Sequence, residues 1–287
     1  MNRASADYCN VSANGFAPHE WQNPIASDLS GVAQLLELAL PSAATFARPL
    51  VRSAIVSEDL LASSLLVLCA HEVAGTVPLV PAVQVFAAAM ELIIISLNAH
   101  ALLPDGELAM ESSPLLALGS AAGVLLGDLL YTHAFRMIVQ TREANAIQLV
   151  AKATEEMVKG ATRERFPANG QMASCDDVLG ARLAATYGAC CRIGGLLGGA
   201  SSSQLDAMQR LGAECGRLKS GAVNSDARRG NVHASPVGKQ RLDIQLRICE
   251  THADHAVSHP IYRDVMAALL CHAAGPSFDR VAQVAPG

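Results

Sequence analysis

The run from Val80 to Leu103 constrains the fold most. It is apolar at nearly every position, yet it carries Pro81 at its start and Glu91, Asn98 and His100 further in. It ends in Leu103-Pro104-Asp105-Gly106, a strong turn signal. Such a run belongs either in a bilayer or in the middle of a large helical protein. Polar groups at the centre of a membrane span are expensive, and Glu91 therefore favours the second home. Leu115 to Phe135 repeats the pattern, with Asp128 and His133 inside it. Both runs are expected to be core helices and the chain not transmembrane.

The rest of the composition agrees. Hydrophobic residues make up 51%, charged ones 16% and aromatics only 4%, with Ala and Leu dominant, which favours helix over sheet. A 287-residue chain buries enough surface to need no covalent staples. The net charge of −5 is scattered, which leaves no basic footprint and argues against nucleic acid as a partner. The 8 cysteines form no C-x-x-C pair and read as reduced, buried thiols of an intracellular chain that is not secreted. The first residues, MNRASADYCNVSANGF, hold no apolar core for a secretory signal. Asp7 and a single Arg make them weak as a mitochondrial transit peptide.

Helical periodicity starts near Ile25 and predicts one all-α domain of about ten helices over 25–275. A flexible segment at 1–24 precedes it and a flexible tail at 276–287 follows. The expected helices run from Asp28 to Leu40 (stopped by Pro41), Ser42 to Ser57, Glu58 to Val73, and Val80 to Leu103. The next begins at Ser112 or Ser113, with Pro114 near its first position, and reaches Thr141. Glu143 to Arg165 carries Glu155, Glu156, Lys159, Arg163 and Glu164 on an exposed face. Asp176-Asp177 opens a helix to Leu197, where paired acids complement the dipole better than they form a metal site. Gln204 to Ser220 is the next helix, Ala222 to Gly238 reads as a long loop, and Lys239 to Ser258 and Pro260 to Ala273 close the bundle.

The motifs carry a resemblance. Glu91 to Asp105, ELIIISLNAHALLPD, has the cadence of a helix ending in E-L-I-H-x-x-x-L-x-H-D-D-x-x-D. Leu126-Gly-Asp-Leu-Leu-Tyr-Thr-His-Ala-Phe135 matches L-x-G-D-x-L-x-x-x-A-F, and Arg182 to Gly194 stands where K-T-A-x-L-F-x-x-x-C-x-L-G is usual. Across roughly Ser27 to Ser220 the chain resembles the trans-polyprenyl diphosphate synthases. That resemblance implies an isoprenoid-synthase-type helical bundle with a central apolar cavity. In the family the aspartates hold Mg²⁺ ions, which neutralise an allylic diphosphate and let it ionise.

The departures are concentrated on charge. His100 and Asp105 are retained, but Ala101 and Leu102 replace the two leading aspartates of the first motif. One isolated carboxylate is a poor substitute, since Mg²⁺ usually sits on one or two carboxylates plus phosphate oxygens. The basic diphosphate grip has become Asp59-Leu-Leu-Ala-Ser-Ser64. Arg182 replaces a phosphate-contacting Lys, and Lys219, Ser220 and Val223 replace the second set of acids. Gly127 and Asp128 are kept, the glycine suited to close helix approach and the acid to a buried or interface position with a partner.

With both metal sites and the grip altered together, no catalytic residue is assigned. The chain looks like the aspartate-poor partner of long-chain synthases and resembles decaprenyl diphosphate synthase subunit 2. The resemblance implies a non-catalytic subunit serving the isoprenoid side chain of ubiquinone. Its partners would be an aspartate-rich catalytic subunit and a prenyl chain, with a second copy of itself as a further candidate. It would bind no cofactor of its own, Mg²⁺ belonging to the catalytic partner. Its place would be mitochondrial in a eukaryote and cytoplasmic in a bacterium. The rival readings are an atypical prenyltransferase or terpene cyclase with an altered metal site, and an isoprenoid-binding protein. A separate candidate, His252, His255 and His259 on one helical face beside Asp254, would suit Zn²⁺ or Ni²⁺ but matches no named metal motif. His100 with Asp105 could also be a general-base pair, although a solvated His and a turn Asp fit the helix end better.

Overall fold

The computed structural model describes residues 25–39, 52, 60–75, 77–101, 119–165, 175–227 and 236–273. Among them lie nine helices and no strand: α1 (Ala26–Ala39), α2 (Leu61–Ala74), α3 (Ala82–Ala101), α4 (Gly119–Thr141), α5 (Ala144–Arg165), α6 (Cys175–Gly198), α7 (Ser202–Ala227), α8 (Pro236–Ala256) and α9 (Pro260–Ala273). The all-α expectation holds, and the helix count is close to the ten expected. The segment predicted as a helix over Ser42–Ser57 lies outside the described residues except for Arg52, whose guanidinium grips Glu37 through two 2.6 Å hydrogen bonds.

Helix α6 is the hub, packing along α7, α2 and α5, while α3 lies against α4, α2 and α1. α8 follows α7, and α9 returns to α8 and α2. The close contacts on α6 need glycine. A Cβ on Gly194 would sit 2.0 Å from the Leu66 carbonyl oxygen of α2, and one on Gly212 would sit 2.2 Å from the Tyr187 carbonyl oxygen of α6. Backbone atoms cannot swing aside, so these two glycines set how near α2 and α7 come to α6. α2 is apolar all round and buried from Leu61 to Ala70, the condition of a central helix. α5 is the opposite case. It buries Ala146, Val150, Ala153 and Met157 and turns Glu155, Glu156 and Lys159 outward as ion pairs of 2.7 and 3.1 Å.

Two carboxylates tie helix ends together. Leu60, in the left-handed region at φ 50°, precedes α2 and has no side-chain cap to offer. Glu91 of α3, 1% exposed, supplies one by accepting the Ser63 N–H at 2.8 Å. At the other end of α2, Glu72 accepts from the Ser258 N–H at 2.7 Å and the His259 N–H at 3.2 Å, just before α9. Cys69, Cys190, Cys191, Cys215 and Cys249 are free and buried. A Cys69 hydrogen bond raises the Cys191 thiol, a Cys249 hydrogen bond raises Cys215, and burial raises Cys190, which keeps all three as thiols.

One segment differs from expectation. α7 does not stop at Ser220 before a loop; it continues through Asn224-Ser-Asp to Ala227, and α8 then begins with Pro236 in its first turn. The buried stripe Leu211, Cys215, Leu218 and Ala222 continues at helical spacing past Ser220, and its burial outweighs the weak helix preference of Asn, Ser and Asp. The predicted Leu103–Gly106 turn lies outside the described residues, as do the segment 1–24 and the tail.

Candidate functional site

The residues singled out by sequence fall at two joints. At the first, the last turn of α3 meets α4. His100 Nε2 lies 3.2 Å from the Val124 carbonyl oxygen and 3.1 Å from Asp128 Oδ1. A carbonyl only accepts, so Nε2 carries the proton. One turn earlier on α3, the buried Ser96 hydroxyl donates to the Gly127 carbonyl at 2.7 Å. Gly127 lies under the imidazole, and a Cβ there would come within 2.4 Å of Nε2. The i, i+4 pair Ser96 and His100 thus reads one face of α4 at Val124, Gly127 and Asp128. Asp128 is not buried: its side chain is 65% exposed at the edge of the α3–α4 contact, with His100 as its partner.

The second joint is the α6–α7 seam. Ser220 is buried and faces Gly180, where a Cβ would lie 3.7 Å from its Oγ. One turn earlier on α7, Gly216 presses on the Leu183 and Ala184 backbone, next to Arg182. Arg182 is half-buried against Gly160 of α5, and Lys219 is half-buried beside Ser220. This seam is tight packing between helix backbones, with Lys219 and Ser220 where the family resemblance puts carboxylates and Arg182 where it puts a lysine.

Leu102 and Asp105 lie outside the described residues, and Ala101 is the last residue of α3. A methyl group at 101, an ammonium at 219 and a hydroxyl at 220 do not make a carboxylate cradle for Mg²⁺. Among the described residues no group of three or more His, Cys, Asp or Glu is gathered to hold a metal ion. The histidine triad does not form: α8 ends at Ala256, so His259 leaves the face of His252 and His255 and instead packs on Tyr262, ring centroids 5.0 Å apart. His252 and His255 line a shallow cleft of about 180 Å³ with Arg210, Ala207 and Thr251, between α7 and α8. The residues within the bundle centre that are described, among them Leu65, Leu66, Leu68 and Met90, are fully buried against one another.

Sequence reasoning passed over three polar groups. Glu91 was legible only as an acid in an apolar run, and its role as the cap of α2 requires the tertiary contact. Glu72 was hidden at a helix end. His71 bonds Asp28 of α1 at 2.8 Å, Gln84 of α3 donates to the same carboxylate at 2.8 Å, and the ring stacks on Tyr262 of α9 at 5.7 Å. That cluster ties four helices together.

By sequence, neither a protein-family model nor a curated protein matches the chain. By structure it is similar to the polyprenyl synthase of Caulobacter crescentus, solved with calcium and isoprenyl diphosphate: 20% identity, 89% of this chain and 97% of that one, TM-score 0.64. A decaprenyl diphosphate synthase from Rhodobacter capsulatus aligns at 18% identity over 89% and 97% of the two chains, TM-score 0.65. A heterotetrameric geranyl pyrophosphate synthase from mint aligns at 16% identity over 87% and 99%, TM-score 0.60. The fold is therefore that of the isoprenoid synthases.

Proposed function

We propose that the chain is a non-catalytic subunit of a heteromeric long-chain polyprenyl diphosphate synthase that supplies the isoprenoid side chain of ubiquinone. One observation carries the reading: the fold is kept while carboxylates are replaced at both motif positions, by Ala101 and Leu102 on one side and Lys219 and Ser220 on the other. A cation in place of an acid repels Mg²⁺ instead of holding it, and a methyl group offers it nothing. The work left to such a chain is burial of helices against an aspartate-rich partner and shaping the walls along which a prenyl chain grows. The partner then provides the carboxylates, the Mg²⁺ and the ionisation step. Mitochondria in a eukaryote, or the cytoplasm of a bacterium, would be its place.

The test is prenyl transfer by this chain alone, by an aspartate-rich homologue alone, and by the two co-expressed. Activity, or a longer product, only in the mixture is expected. Turnover at enzyme-like rates by the single chain would sink the proposal and bring forward an atypical prenyltransferase or cyclase. Tight prenyl-chain binding with neither turnover nor association would instead make it an isoprenoid-binding protein.

A further inference from the structure

The cleft between α7 and α8, lined by Ala207, Arg210, Thr251, His252 and His255, holds basic groups and no acid. On α7, Arg210 stands one turn from an acid on either side, Asp206 at i−4 and Glu214 at i+4, the spacing at which an arginine is ordinarily paired along a helix. Neither acid takes it. Asp206 accepts from Arg192 of α6 at 2.6 Å, and Glu214 accepts from Arg217 and, at 2.7 Å, from Gln245 of α8. Among the described residues Arg210 therefore has no ion pair. His252 is half-buried and hydrogen-bonds no described residue either. His255 Nδ1 lies 2.6 Å from the Thr251 carbonyl oxygen, which only accepts, so Nδ1 carries a proton and Nε2 is the ring's other polar atom.

We infer that this cleft is an anion site, where Arg210, His252 and His255 take a phosphate group, free or carried on an ester. A guanidinium fork and imidazole N–H groups are donors suited to phosphate oxygens, and the charge-assisted bonds they make are about twice as strong as neutral ones. The cleft, about 180 Å³, has room for a tetrahedral oxyanion and part of what bears it. A metal cation is the wrong guest. Arg210 repels it, and among the described residues no third His, Cys, Asp or Glu joins the two histidines. His255 donates from Nε2 only as an imidazolium, because its Nδ1 proton is committed to Thr251, so binding draws a proton onto that ring. The charges around it are few: Arg210 lines the cleft, Asp206 and Glu214 of α7 are held as described, Glu250 and Asp254 are exposed on α8 outside the lining, and no residue of α9 lines it. Arg210 precedes Lys219 on α7 by nine residues, roughly 14 Å, so the cleft is separate from the altered motif positions and the inference does not rest on the function proposed above.

Isothermal titration of the full chain tests it, with sulfate as the probe because sulfate stays a dianion across the histidine range and phosphate does not. Saturable binding at one site is expected, about threefold or more tighter near pH 6 than near pH 8, with inorganic phosphate competing for it. Arg210→Gln should weaken it by about tenfold or more, and His252→Gln with His255→Gln should flatten the pH dependence. Lys152→Gln, on the exposed face of α5, should leave it unchanged, and circular dichroism checks that each variant is folded. Absence of saturable binding overturns the inference. So does an equal loss in Arg210→Gln and Lys152→Gln, which would mean a general attraction to charge, or tighter binding of Zn²⁺ than of sulfate. Vesicles of phosphatidylcholine with and without phosphatidic acid separate the two sources of phosphate. Cosedimentation with the acidic vesicles that Arg210→Gln abolishes puts the group on a lipid, and sulfate binding without cosedimentation puts it on a soluble molecule.

Discussion

Helices α3 and α4 are alike in length and apolar composition and opposites in the fold. Each is long and apolar enough by composition to cross a membrane, but 72% of the α3 window is buried inside the protein and only 33% of the α4 window is. The polar residues explain the split. α3 points its polar groups inward and finds each a partner: Glu91 the Ser63 N–H, Ser96 the Gly127 carbonyl, His100 the Val124 carbonyl and Asp128. α4 meets α3 through Gly127, the Val124 carbonyl and Asp128, while Arg136 shares an exposed outer stripe with Leu125, Leu129 and Val139. Apolar content alone thus does not say what a helix packs on. The side on which its polar groups are satisfied does.

The comparison can be broken most sharply at Glu91. Glu91→Ala leaves the Ser63 N–H at the start of α2 buried and unpaired, and should cost roughly 3 kcal/mol in urea unfolding. A loss within about 0.5 kcal/mol would mean that inward polar groups are not what holds α3. At the α3–α4 joint, Gly127→Ala drives a methyl group into the imidazole of His100. The ring can rotate away, giving up its bonds to Val124 and Asp128, so the expected cost is smaller, about 1–2 kcal/mol. Adding His100→Ala removes the clash, and the two changes together should cost less than their sum. Strict additivity would show that the glycine and the histidine do not press on each other.

How much of this was legible in the sequence depends on which contacts are local. The helices of α5 and α3 follow from periodicity and from a turn signal, both read within a dozen residues. Gly127 as a close-approach position was readable from its place in an apolar helix, although not that His100 is what it approaches. Asp128 shows the limit. Expectation put it in a buried or interface position, and in the single chain it lies largely exposed at the edge of the α3–α4 contact, bonded to His100. The loop expected at Ala222–Gly238 failed for a related reason: local propensity argued for a turn, while burial of Ala222 against distant residues argued for helix. The capping by Glu91 and Glu72 joins residues 28 and 186 positions apart, and no pattern along the chain announces it.

The outer stripe of α4 should be insensitive where α3 is sensitive. Leu129→Ser removes a side chain already 40% exposed, and within a monomeric population it should change unfolding free energy by less than about 0.5 kcal/mol. A larger loss would mean that α4 is packed on both sides and the contrast with α3 is false.

The smallest effect expected is electrostatic and sits at His133. Burial, and then the charge of Arg136, lower its pKa from the ordinary histidine value. A histidine lowered in the folded state binds fewer protons there than in the unfolded chain. Its contribution is therefore fully present above the unfolded pKa of about 6.5 and is lost as pH falls below it. The contact explains the sign, because the Arg136 guanidinium donates to Nδ1, and protonating that nitrogen breaks the bond and sets two cations side by side. Melting temperature followed from pH 8 down to about pH 5 should fall less steeply in His133→Gln than in the wild type. The ring is only partly buried, which keeps the difference small. Equal slopes would mean that Arg136 is free of His133 in solution.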